Sequence, residues 1–140
     1  IGDPEIRRKV ASEYLEQGFR PMRLVHPNVR MAEDVRVGDG CMVCAGAVLT
    51  TNITVGDFAI VNLNVTIGHD CSIGAYATLH PGANVNGNVT VGNGVAVGSG
   101  AVVLPGLSLG EGSVLGAGAV ASSDLEAGKR YIGVPAREME

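Results

Sequence analysis

The feature that most limits how this chain can fold is a repeat of six residues. Val, Leu or Ile stands at Val37, Val43, Leu49, Val55, Val61, Ile67, Ile73, Leu79, Val85, Val91, Val97, Val103, Leu109 and Leu115 without a break. Met31 and Val25 continue the series toward the N-terminus. If about a quarter of residues are of this type, such a run arises by chance with odds on the order of one in 10⁸. The position two earlier is mostly small or β-branched, as at Val35, Cys41, Ala47, Ile53, Ala59 and Val65. Six is neither a helical period nor a simple hairpin period. It suits a short strand plus a turn, repeated. Residues i and i−2 of a strand point the same way, so each hexad offers two side chains to a shared core. Glycine often follows the stripe residue and opens turn conformations closed to other residues. Three strands then make a triangular coil, and coils stack at ~4.8 Å. The hexads from Val25 to Leu115 predict a parallel β-helix of about five coils and a prism ~25 Å tall.

Composition agrees with a repeat fold and removes other classes. Gly accounts for 21 of 140 residues, apolar residues for 46% and charged residues for only 17%. Disorder needs the reverse balance, and a coiled coil needs Glu, Lys and Leu. With aromatics at 4%, the core must be built from Val, Leu, Ile and Ala. The net charge of −4 leaves no basic excess for nucleic acid or an anionic membrane surface. All ten Lys and Arg lie in 1–40 or 126–140, and between Cys41 and Gly110 the only charges are Asp57 and Asp70. So long a charge-poor stretch is expected to be covered in part by other subunits or by a ligand. The opening IGDPEIRRKV does not read as a signal peptide, and no run of 18 apolar residues occurs. Three Cys, an odd count, point to reduced thiols and a cytoplasmic setting.

The ends depart from the repeat. Pro4 to Gly18 reads as a helix capped by Asp3, with Ile6, Val10, Tyr14 and Leu15 as its apolar face. After Ser123 the tail DLEAGKRYIGVPAREME leaves the hexad. The expected organisation is 1–24 helix and linker, 25–123 β-helix, and 124–140 C-terminal loop.

The pattern [Val/Ile/Leu]-Gly-x₄ resembles the hexapeptide-repeat acyltransferases. That resemblance implies a left-handed parallel β-helix, commonly trimeric, with active sites between subunits. Parallel crossovers otherwise favour the right hand, so the handedness rests on the resemblance alone. The block Asn62 to Val89, with VLPGLSLG, VLGAGAV and the tail motif Gly133-Val134-Pro135-Ala136-Arg137, is similar to acetyltransferases acting on sialic acids and nucleotide-linked amino sugars. In that subfamily the His of Ile-Gly-His-[Asp/Glu] is a general base and the acid orients it, which maps onto His69 and Asp70. The resemblance implies acetyl-CoA as co-substrate, with Ser99 and Ala117 along the pantetheine arm. A second His of the subfamily is replaced here by Thr78, which keeps one hydrogen-bonding group. Asn62 and Asn64 are candidates for touching the sugar. The subfamily begins with a small α/β sugar-binding domain; 1–19 resembles its last helix, and the chain is expected to lack the rest.

Arithmetic on the coil supports part of this. Gly87 lies 18 residues after His69, so its backbone falls one strand spacing away with no side chain in between. That suits a base and an amide donor flanking one thioester carbonyl. His80, before Pro81, is read first as a turn residue, with a place near pantetheine or substrate as the alternative, and Cys41 and Cys71 as buried thiols at the small inward position. His26 and His80 lie three coils apart, ~14 Å, so no shared zinc is expected. Lys129, Arg130 and Arg137 could meet coenzyme A phosphates or solvent equally well. The preferred reading is N-acetylation of a nucleotide-linked sugar. Sugar O-acetylation and a non-catalytic trimerisation scaffold are the alternatives, and the His69-Asp70 pair argues against the scaffold.

Overall fold

The computed structural model describes residues 1–139 as a three-faced left-handed parallel β-helix with one N-terminal helix. The first face holds Leu24–Val25, Met42–Val43, Ile60–Val61, Thr78–Leu79, Ala96–Val97 and Val114–Leu115, then two tail strands, Arg130–Ile132 and Arg137–Glu138. The second face runs from Arg30–Met31 to Val120–Ala121, and the third from Arg36–Val37 to Ser108–Leu109. Successive repeat strands of a face pair in parallel at an offset of 18, as in Thr78↔Ala96 and Thr66↔Asn84. Each face hands over to the next at a corner, and the corners stack into three edges, numbered here after the face they follow.

The hexad stripe turns inward as its spacing requires. Leu49, Ile67, Leu79, Leu109 and Leu115 are buried, with Ala47, Val65, Ala77 and Ala101 between them. Each large side chain contributes about 1.5–3 kcal/mol by leaving water. The corners turn through positive φ, which glycine adopts at Gly40 and Gly94 and Asn or Asp at Asn52, Asp70 and Asn88. Two aromatics, Phe58 and Tyr76, take the same conformation on the third edge.

The solenoid has about six turns rather than five, for two reasons. The hexad continues into Val120–Ala121, where alanine replaces the larger stripe residue. The tail is also more than a loop: Arg130–Ile132 pairs in parallel with Val114–Leu115 and antiparallel with Arg137–Glu138. Tyr131 closes the core at that end, its hydroxyl accepting from the Glu126 N–H at 3.0 Å.

The helix Pro4–Glu16 forms as expected, with the Asp3 carboxylate accepting from the N–H groups of Glu5 and Ile6. It does not pack by the apolar face expected of it. Ile6, Tyr14 and Leu15 are exposed, and the buried side chain is Arg7. Its guanidinium donates to the carbonyls of Phe58 (2.8 Å), Ile1 (2.6 Å) and Tyr76 (2.5 Å) and to Thr78 Oγ1 (3.0 Å). The open carbonyls of the third edge and the folded-back N-terminus thus hold the helix through a cation. Burial pushes the Arg7 guanidinium below its ordinary value.

Candidate active site

His69 and Asp70 form the corner after Thr66–Ile67, on the second edge. Asp70 takes φ 59, and its N–H donates to the Thr51 carbonyl of the coil below at 3.1 Å. This left-handed turn swings its short side chain back against the preceding imidazole. His69 Nδ1 lies 2.7 Å from Asp70 Oδ2. Asp70 Oδ1 accepts from Asn52 Nδ2 at 2.6 Å. Those two bonds, Asn52's first and His69's second, hold the Asp70 carboxyl below the usual carboxylate range. An ionised carboxylate only accepts, so Nδ1 carries a proton, and a neutral imidazole held this way has its lone pair at Nε2. The pair is open to solvent, with the His69 and Asp70 side chains 57% and 45% exposed.

Gly87 stands where the coil arithmetic places it. A Cβ added there would meet His69 Nε2 at 2.6 Å and Cε1 at 2.8 Å, so the ring lies directly over the glycine. The Gly87 N–H has no protein acceptor among the described residues, and the repeat explains why. At the same turn position the N–H groups of Asp39 and Ala75 donate to Asp57 and Asn93, each 18 residues on. The residue 18 beyond Gly87 is Pro105, which offers no acceptor side chain. The edge therefore presents a ring nitrogen with a free lone pair beside a free amide donor. Chemically, that arrangement can take a proton from an attacking group and stabilise an oxyanion.

The other candidate residues stand elsewhere in this chain. Asn62 and Asn64 share the first edge with Ser99 and Ala117, one hexad away from His69 around the prism. Ser99 and Ala117 are exposed and stacked, the Ser99 carbonyl accepting from the Gly118 N–H. Thr78 is buried on the first face, where its hydroxyl donates to the Gly2 carbonyl at 2.8 Å and accepts from Arg7. Its hydrogen-bonding capacity is thus taken up by the N-terminus. Cys71 is buried, its thiol directed at the Asn86 carbonyl, and burial pushes that thiol up. Lys129 is held by Glu126 at 2.6 Å and Glu138 at 3.0 Å, which raise its affinity for the proton. Among the described residues no group of His, Cys, Asp and Glu is placed to hold a metal, and no helix is long and apolar enough to cross a membrane. In the sequence Asn52 stands only as one of the asparagines in hexad phase that can stack between coils, and 52 and 70 differ by one coil.

This solenoid belongs to a known class. The family described as the hexapeptide repeat of succinyl-transferase matches residues 35–51, 64–99 and 95–121, and the chain belongs to the hexapeptide-repeat acyltransferases. More particularly, it is similar to perosamine N-acetyltransferase of Caulobacter crescentus, solved as a mutant with CoA and GDP-perosamine: 35% identity, TM-score 0.98, covering 100% of this chain and 67% of that one. The acetyltransferase domain of PglB from Neisseria gonorrhoeae, solved with acetyl coenzyme A, is 32% identical at TM-score 0.95, over 99% of this chain and 68% of that one. WeeI from Acinetobacter baumannii is 33% identical at TM-score 0.96, with the same coverage of 99% and 68%. A comparison with curated protein sequences found no match.

Proposed function

We propose that the protein moves the acetyl group of acetyl-CoA to an amino group of a nucleotide-linked sugar, with His69 as general base. The observation that carries this is the His69-Asp70 pair set over Gly87. It occurs in a chain 35% identical to an N-acetyltransferase solved with CoA and GDP-perosamine. In the reaction the amine nitrogen attacks the thioester carbonyl as His69 Nε2 accepts its proton. The C–N bond forms, and the carbonyl oxygen gains negative charge, which the Gly87 N–H receives. The C–S bond then breaks, and the imidazolium returns the proton to the departing thiolate. Amide and free coenzyme A leave. Asp70 holds the Nδ1–H tautomer throughout and stabilises the imidazolium.

Ser99 and Ala117 are assigned to the pantetheine arm and Asn62 and Asn64 to the acceptor sugar. All four lie on the first edge, away from His69. A homotrimer in which the first edge of one copy meets the second edge of its neighbour completes the site, and the scarcity of charge between Cys41 and Gly110 supports it. Thr78 is left out of the cofactor site because Gly2 and Arg7 occupy it. We assign the reaction to the cytoplasm, a reducing compartment that suits the three free thiols.

The test is calorimetric titration of acetyl-CoA into the parent protein and His69→Ala, followed by thiol release with GDP-perosamine as acceptor. The expected result is one acetyl-CoA per chain in both proteins, with turnover about 10²–10⁴-fold slower in the variant. Absence of acetyl-CoA binding to the folded protein overturns the reading.

A further inference from the structure

The polar groups of the second edge form a continuous ladder over three coils. Asp34 Oδ2 accepts from Thr51 Oγ1 at 2.6 Å and from the Asn52 N–H at 2.9 Å. Asn52 Nδ2 donates to Asp70 Oδ1 at 2.6 Å, and Asp70 Oδ2 faces His69 Nδ1 at 2.7 Å. We infer that Asn52 is a positioning residue, which fixes the Asp70 carboxylate in the plane that serves His69 while Asp34 fixes Asn52 from below. The inference rests on the reading of His69 as the base.

Three observations carry it. The Asp70 backbone is set by its own turn, but its side chain is 45% exposed. A lone carboxylate–imidazole contact in that setting is weak, because water competes and the carboxylate rotates. A second bond, on the opposite oxygen, removes that rotation. Next, Asn52 is used differently from its counterparts. Asn64 and Asn88 take the same turn conformation, φ 55 and 58 against 53, yet among the described residues neither side chain donates a hydrogen bond. The turn alone asks only for a residue that tolerates positive φ. Finally, the amide is the one group of this size that fits. Asp70 needs a donor, while an aspartate at 52 would set a carboxylate between those of Asp34 and Asp70.

The test uses Asn52→Gly, which keeps the turn and removes the donor, and Asn52→Asp, which keeps the shape and reverses the polarity. Asn88→Gly measures what losing an asparagine from this turn costs by itself. The first readout needs no substrate: ¹⁵N-histidine NMR of the free protein gives the tautomer of His69, with His26 and His80 as internal references. The Nδ1–H form is expected to dominate in the parent and in Asn88→Gly, and to fall to a mixture in both Asn52 variants. The second readout is steady-state kinetics with acetyl-CoA and GDP-perosamine. It is expected to show kcat down about 10- to 100-fold, most in Asn52→Asp, with KM for acetyl-CoA within about twofold. An unchanged tautomer, or a loss of kcat that merely follows a fall in thermal midpoint matched by Asn88→Gly, overturns the assignment. A parent that transfers no acetyl group sinks the reading of His69 and leaves the tautomer comparison to decide on Asn52.

Discussion

The second and third edges of the prism are built from the same turn and put it to different use. On the second edge the positive-φ position holds Asn52, Asp70 and Asn88 before Gly106, and on the third it holds Phe58 and Tyr76 among the glycines Gly40, Gly94 and Gly112. A bulky side chain in the left-handed region costs about 1–2 kcal/mol, whereas Asn and Asp visit it readily. Phe58 and Tyr76 offset that cost by stacking on one another, with ring centroids 5.1 Å apart and planes 6° apart, and Arg8 lies over Tyr76. Gly40 makes room beneath, since a Cβ there would stand 2.5 Å from the Phe58 ring. The third edge thus becomes a seat for the helix, and the second keeps short polar side chains at the surface. The turn does not decide which; the residue one coil away does.

The largest effect that should separate the edges is in catalysis. Gly87→Ala puts a Cβ where the His69 ring lies, at a backbone conformation alanine accepts, and the imidazole has to move. The expected loss of kcat in thiol release is about 100-fold. The urea midpoint should stay within error, because an exposed side chain yields rather than the backbone. Arg7→Met should do the opposite. It strands the carbonyls of Phe58 and Tyr76 and removes the donor to Thr78 Oγ1, and is expected to cost about 2–4 kcal/mol in urea unfolding. Acetyl-CoA affinity below the transition should be unchanged. Phe58→Asn keeps a residue suited to the turn and removes the ring pair, for an expected loss of about 1–2 kcal/mol by the same measurement.

The smallest effect concerns acid. The hydrogen bonds from Thr51 and the Asn52 N–H hold the Asp34 carboxyl below its ordinary value. A carboxyl lowered in the folded state adds stability that is fully present above its unfolded value of about 3.9 and is lost as pH falls through its folded value. Parent and Asp34→Ala should therefore differ in urea midpoint at pH 7 and converge as pH falls below about 3.9. A difference that persists at low pH would mean Asp34 acts by packing.

Much of this was legible in the sequence, because a solenoid turns spacing into position. The stripe from Val37 to Leu115 marks the core, and 69 plus 18 locates Gly87 under His69. The same sum leads from Asn52 to Asp70, where a ladder of polar side chains does form between coils. The unreadable parts depend on groups every residue carries. Arg7 is buried against main-chain carbonyls, which no side-chain pattern displays, so periodicity selected Ile6 and Tyr14 instead. Thr78 gave no sign that Gly2 would fold back over it. The sixth turn lies beyond the stripe of large residues because Ala121 ends it with a small one.

The constant offset of 18 between neighbouring repeat strands makes the chain behave like text with a reading frame. A whole coil added above Leu109 leaves Asn52, Asp70 and Gly87 in line. One residue gained or lost between Asn52 and Asp70 breaks the alignment and reverses every inward side chain until the frame is restored. Length variation in this protein's lineage should therefore arrive in steps of one coil, or as loops bulging from a corner and returning to phase.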